Sequence, residues 1–168
     1  LVAALRALGK RPCIVTGGIR QAVFALAAHL GVRDDDVFAV DVFHHRDGSY
    51  AGFDEESPLA RARGKLELLR QLAKEDHKGG LAFVGDGATD LEAAPAARRF
   101  VAFGGVVRRA QVFEHAVVSC DRPDLAALLP LLVATDEIDV LAALPAHAAL
   151  VHAARAARSA ATSPRTPS

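Results

Sequence analysis

Apolar positions recur along the chain at alternating strand and helix periods. Leu1, Leu5 and Leu8 share one helical face, and Gly9 is placed to end that helix. A short apolar run at 13–15 leads straight into Thr16-Gly17-Gly18. Residues 21–30 then carry Ala22, Val23, Leu26, Ala27 and Leu30 at helical spacing, closed by Gly31. Strand, glycine turn and helix make one half of a parallel α/β unit. Strand-like runs at 37–43 and 50–53 flank His44-His45-Arg46-Asp47-Gly48, where Asp-Gly marks a hairpin because both turn positions tolerate positive φ. An acidic loop at 54–58 follows, and then a helix over 65–74 with Leu66, Leu68, Leu69 and Leu72 on its apolar side.

The second half repeats the alternation. A strand at 81–84 runs into Gly85-Asp86-Gly87-Ala88-Thr89-Asp90, and Thr89 with Glu92 fits a capping box for a helix over 90–97. A strand at 100–103, a turn at Gly104-Gly105, a helix over 107–116 and a short strand at 117–118 follow. Residues 124–133 read as a helix that Pro130 kinks or splits. From about 136 the sequence is Ala-rich and helical to 161, broken at Pro145; few large apolar residues predict weak packing there, and 162–168 read as a disordered tail. The fold class expected is α/β, a Rossmann-like parallel sheet with flanking helices, a β-hairpin insertion and an Ala-rich C-terminal helical extension. Residues 1–133 would form the core and 134–168 the extension with its tail.

Composition narrows the setting. With 51% hydrophobic residues in 168 and 20 Lys+Arg against 20 Asp+Glu, the chain can bury a core, and bulk charge does not suit nucleic-acid binding. Its two cysteines, Cys13 and Cys120, lack metal spacing and fit a reducing cytoplasm. The longest apolar run, 125–134, holds Pro130 and falls far short of the roughly 18 residues of a spanning helix, so no membrane partner is expected. His44-His45 has no partner ligands at metal spacing and reads as an exposed turn.

Candidate chemistry gathers at strand ends, where parallel α/β sheets bind ligands. Thr16-Gly17-Gly18 offers a hydroxyl and closely approachable backbone N–H groups beside a helix start, which suits a phosphate; it equally suits an ordinary tight turn. Asp86 and Asp90 are hard oxygen donors of the kind that hold Mg²⁺ with phosphate and water, or they only shape a turn and cap a helix. Lys65 opens a helix, where the dipole disfavours a cation. It is either a solvated residue or the counter-charge for phosphate and carboxylate.

Taken in order, these pieces resemble the haloacid-dehalogenase-type phosphatases, most closely their phosphoserine phosphatase branch. The residues that carry the resemblance begin with Ile14-Val-Thr-Gly-Gly-Ile-Arg20 and Val37-Phe-Ala39. Asp47-Gly-Ser-Tyr-Ala-Gly-Phe-Asp54, Gly64-Lys65, Gly85-Asp-Gly-Ala-Thr-Asp-Leu-Glu-Ala93 and Phe103-Gly-Gly105 through Arg109 follow, over about residues 1–133. The resemblance implies Mg²⁺-dependent hydrolysis of a small phosphomonoester, O-phospho-L-serine, in serine biosynthesis. It implies that Thr16, Gly17 and Gly18 hold phosphate oxygens and that Thr89 and Arg109 face the substrate. Asp86 would bind Mg²⁺, and Lys65 with Asp90 would form the catalytic pair. Arg63 stands where close relatives often have a second Gly, and Val106 where an Asn is common.

One family motif is absent. The Asp-x-Asp-x-Thr/Val that supplies nucleophile and general acid does not occur; Asp34-Asp35-Asp36-Val37-Phe38 has carboxylates but sits in a turn before a strand. By resemblance that motif ends a strand lying between those at 13–15 and 81–84, so its neighbours are expected to show unpaired edges. Together with an opening on Leu1 and no Met in the sequence, this predicts a portion of a longer phosphatase.

Overall fold

A computed structural model describes residues 1–75 and 80–161, with side chains to residue 157. The elements in chain order are α1 Val2–Ala7, β1 Ile14–Ile19, α2 Arg20–Leu30, β2 Val37–Val40, β3 Val42–His44, β4 Tyr50–Phe53 and α3 Gly64–Glu75. They continue with β5 Ala82–Gly85, α4 Ala88–Ala93, β6 Arg99–Phe103, α5 Ala110–His115, β7 Val118–Cys120, α6 Leu129–Leu132, α7 Thr135–Ala142 and α8 Ala148–Ala161. The tail expected at 162–168 lies outside the described residues.

Parallel pairing appears in two separate sheets. β1 pairs with β2, and β5, β6 and β7 form the second sheet in that order, all parallel. β3 and β4 form the antiparallel hairpin, closed by His45 N–H to Ser49 O at 2.8 Å with Gly48 at φ +85°. Among the described residues neither β1 nor β5 has a hydrogen-bonded strand on its other side. The two sheets are joined instead through α3. Its Leu66, Leu68, Leu69 and Leu72 pack with Val15 and Phe38 of the first sheet and with Phe83 and Phe100 of the second.

Several elements depart from the sequence reading. α2 carries Val23, Leu26, Ala27 and Leu30 at helical spacing, yet Leu26 is 53% and Leu30 36% exposed, and of the four only Ala27 is buried. A two-stranded sheet covers too narrow a strip of the helix; Ala27 packs on Val32, Val37 and Ile14, and the outer positions find no floor. The capping box also shifts. α4 starts at Ala88 with Gly87 as its N-cap, so its N3 carboxylate is Asp90, and Glu92 lies beyond the first turn. Pro130 does split its helix, into a 3-10 turn at Leu125–Leu128 and α6.

The Ala-rich extension packs closely rather than weakly. Ile138, Leu141, Val151 and Ala154 are at most 6% exposed and form a core cluster with Ala4, Leu129 and Val133, flanked by Leu1, Leu5 and Leu8. Alanine at Ala4 and Ala154 lets the helices approach, so a few Leu, Ile and Val side chains suffice to seal the contact. Lys10 adds an ion pair to Glu137 at the start of α7. That pair, with a second hydrogen bond from the Ala134 N–H, holds the Glu137 carboxyl below the usual range. The contribution is therefore present above the ordinary carboxylate pKa and is lost as pH falls through the lowered value.

Candidate active site

Parallel register brings the loops of interest together. Gly85 pairs with Ala102, so the segments leaving β5 and β6 start side by side. The segment after β5 is organised by Asp90, which is 6% exposed. Its Oδ2 accepts the Asp86 N–H at 3.0 Å and the Gly87 N–H at 2.9 Å, and its Oδ1 accepts Lys65 Nζ at 2.6 Å. A carboxylate buried with two amide donors and an ammonium group is fully engaged, and it fixes both the loop and the lysine. Glycine is required at Gly85 for this closeness, since a Cβ there would lie 2.4 Å from Asp90 Cβ.

Lys65 reaches Asp90 from the first turn of α3. The approach is set by the 3-10 turn Pro58–Ala60, a feature the sequence reading treated as the end of an acidic loop. A Cβ on Gly64 would lie 1.5 Å from the Pro58 carbonyl oxygen, and one on Gly17 would lie 3.3 Å from that of Leu59. The same turn therefore rests on the glycine segment of β1 and on the start of α3, linking Gly17 to Lys65. Just before it, Arg63 holds a left-handed φ of +62°, which costs an L-residue roughly 1–2 kcal/mol. That conformation explains why a glycine suits the position. Arg63→Gly is expected to raise stability by about 0.5–1 kcal/mol, after the larger unfolded-state entropy of glycine is subtracted. A lower urea midpoint would contradict this.

The glycine segment after the first apolar run is part of the strand. β1 extends through Thr16-Gly17-Gly18 to Ile19, but its ladder breaks between Val15↔Phe38 and Ile19↔Val40. Four steps on β1 thus face two on β2, and Thr16 to Gly18 bulge out of register. Thr16 Oγ1 accepts the Gly18 N–H at 3.0 Å, so the hydroxyl and one glycine amide of the expected cradle are engaged with each other. Gly17 and Gly18 are exposed, as is Thr89 on the first turn of α4.

Arg109 stands at the N-cap of α5 and turns back to the β5 loop. Its guanidinium forms an ion pair with the Asp86 carboxylate and donates to the Asp86 carbonyl at 3.1 Å. Gly104 and Gly105 make the return possible: a Cβ on Gly104 would lie 2.5 Å from Phe113 Cζ, and one on Gly105 would lie 2.2 Å from Arg122 O. Neighbouring Arg108 stacks over the Phe113 ring at 4.5 Å. Val106, the other departure from the family pattern, is 87% exposed on this loop.

The four charged groups balance: Lys65 and Arg109 against Asp86 and Asp90. A phosphate dianion added here would need a compensating cation, and Mg²⁺ takes one or two protein carboxylates with phosphate and water. Asp86 fits as that ligand, because it is half exposed and already attracts a cationic group. Among the described residues no group of three or more His, Cys, Asp or Glu forms a complete metal cage.

Comparison with known proteins assigns the family. The haloacid dehalogenase-like hydrolase family model matches residues 1–98. The chain belongs to that family. As a haloacid dehalogenase-like hydrolase it is 40% identical over 116 residues to phosphoserine phosphatase of Mus musculus, and 39% identical over 116 residues to that of Bos taurus. Each match covers 69% of this chain and 52% of the relative, so the chain spans about half the length of these curated relatives. A solved substrate-bound phosphoserine phosphatase complex superposes with a TM-score of 0.66 at 25% identity, covering 79% of this chain and 60% of that one. Among the described residues no single helix is long and apolar enough to cross a membrane.

Of the residues singled out from sequence, the structure joins Lys65 to Asp90 and Asp86 to Arg109, and it links Gly17 to the start of α3. It leaves Thr89 exposed on α4. Sequence reasoning missed the turn Pro58–Ala60 as the support for both the glycine segment and Lys65. Ser57-Pro58 was its available signal, since proline at the first position of a short helical turn is favoured.

Proposed function

We propose that this chain supplies the phosphate- and metal-holding part of a Mg²⁺-dependent phosphomonoester hydrolase whose substrate is O-phospho-L-serine, working in the cytoplasm toward serine formation. The observation that carries the reading is the Lys65–Asp90 pair, locked at 2.6 Å inside a loop whose Asp86 and Gly87 amides donate to the same carboxylate. The relatives named phosphoserine phosphatase support the substrate. Mg²⁺, when bound, would neutralise phosphate charge beside Asp86.

The residues of the chain would then divide the work. Lys65 presents its ammonium group to a phosphoryl oxygen while Asp90 fixes its position. The Thr16 hydroxyl and the Gly17 amide of the bulged segment would take phosphate oxygens, and Thr89 and Arg109 would face the substrate. This is charge stabilisation by groups already in place. The nucleophile is not among the 168 residues, because the sequence holds no Asp-x-Asp-x-Thr. Among the described residues β1 and β5 each have an edge without a hydrogen-bonded strand, where a strand bearing that motif would fit.

Calorimetry with phosphoserine and Mg²⁺ tests the reading. Phosphoserine is expected to bind about tenfold more tightly with Mg²⁺ than without it, and Asp86→Asn is expected to remove that gain. Equal binding of phosphoserine and glycerol phosphate would overturn the substrate assignment. Phosphate release is expected only when a segment with an Asp-x-Asp-x-Thr strand is joined to the chain; release by residues 1–168 alone would overturn the division of labour.

A further inference from the structure

The Arg109–Asp86 contact places two expected functions in competition. Arg109 is implied to meet the anionic substrate and Asp86 to meet a divalent cation, yet the structure joins them to each other through both the carboxylate and the main-chain carbonyl of Asp86. The pair is 48% and 46% exposed, so water and ions reach it. Asp90 does not offer an alternative acceptor, since its oxygens are taken by Lys65 and the two loop amides.

We propose that Arg109 is a built-in counter-ion that holds the Asp86 carboxylate until a divalent cation takes it. Cation binding and anion capture are thereby coupled through one side chain. A cation arriving at Asp86 displaces the guanidinium, which is then free to pair with the phosphate or carboxylate of an incoming ligand. The reverse also holds: an anion that draws Arg109 away exposes Asp86 and strengthens cation binding, because the coupling between two ligands is reciprocal. The short tether matters here. Gly104 and Gly105 pack so tightly against Phe113 and Arg122 that the loop stays in place, and the exchange needs only rotation of the exposed arginine side chain.

The proposal rests on Asp86 being a cation ligand, and the test separates the two. Mn²⁺ binding to the full chain would be followed by the electron paramagnetic resonance signal of the free ion, for the parent, R109Q, R109K and D86N. With an exposed ion pair as competitor, R109Q is expected to bind Mn²⁺ about threefold to fivefold more tightly than the parent, with R109K between them. D86N is expected to bind at least about tenfold more weakly. Inorganic phosphate should tighten Mn²⁺ binding in the parent by a factor about threefold larger than in R109Q, since direct ion–phosphate attraction is common to both. Unchanged binding in D86N would overturn the Asp86 assignment itself. Weakened binding in D86N together with unchanged or weaker binding in R109Q, or an equal phosphate effect in the parent and R109Q, would overturn the counter-ion role alone.

Discussion

Replacing Lys65 by methionine is expected to lower the unfolding free energy by about 3 kcal/mol, because it leaves the Asp90 carboxylate buried without its counter-charge. The side chains are 18% and 9% exposed, so water reaches Asp90 poorly and cannot replace the ammonium group. Two amide donors remain on Asp90, which keeps the loss at the lower end of what breaking a buried pair costs. For a chain of 168 residues this corresponds to a fall of roughly 6–12 °C in Tm. Adding Asp90→Asn removes the stranded charge and is expected to return about half of that loss. Phosphate affinity is not expected to recover in the double variant, since the cation proposed to meet the phosphoryl group is still missing. A Tm for Lys65→Met within a degree of the parent would show that the pair is not buried as described.

Gly64→Ala is expected to be at least as damaging, about 3 kcal/mol or more, for a different physical reason. The new Cβ would lie 1.5 Å from the Pro58 carbonyl oxygen and 2.3 Å from the Pro58 carbonyl carbon. Both atoms are main chain, so no side-chain rotation relieves the overlap; the turn Pro58–Ala60 or the start of α3 must move. Either shift carries Lys65 away from Asp90 and disturbs the support under Gly17. Loss of stability and loss of phosphate binding should therefore appear together. A variant with parent-like urea midpoint and parent-like phosphate affinity would contradict the packing of this turn. The contrast with Arg63→Gly, one residue earlier and expected to stabilise, makes the pair a sharp local test: there the strain is in the backbone torsion, whereas at Gly64 it is in space.

The extension shows how burial differs from apolar content. Residues 136–161 hold few large apolar side chains, and local reading made them loosely attached. Leu141 is nevertheless fully buried, against residues that include Ala4, more than a hundred positions away. α2 errs in the opposite sense. Its periodicity is that of a buried face, but the β1–β2 sheet beneath it is only two strands wide. A helical pattern states which face seeks cover and leaves open how wide the cover is.

The sequence by itself determined the alternation of parallel strands and helices, the hairpin at Asp47-Gly48, and the positions of Thr16, Asp86 and Asp90 at or after apolar strand runs, with Lys65 opening a helix. Those features follow from period, turn chemistry and strand direction, all of which are local or nearly so. It also determined that no Asp-x-Asp-x-Thr occurs among the 168 residues. Only the tertiary structure decided that the turn at Pro58 supports both Gly17 and Gly64, and that Arg109 rests on Asp86. The Arg109–Asp86 contact spans 23 positions and that of Gly17 with Leu59 about 40, distances at which local pattern names no partner. A linear pattern records which side chains can bind a charge, whereas the partner each one meets is set by how the strand ends are brought side by side.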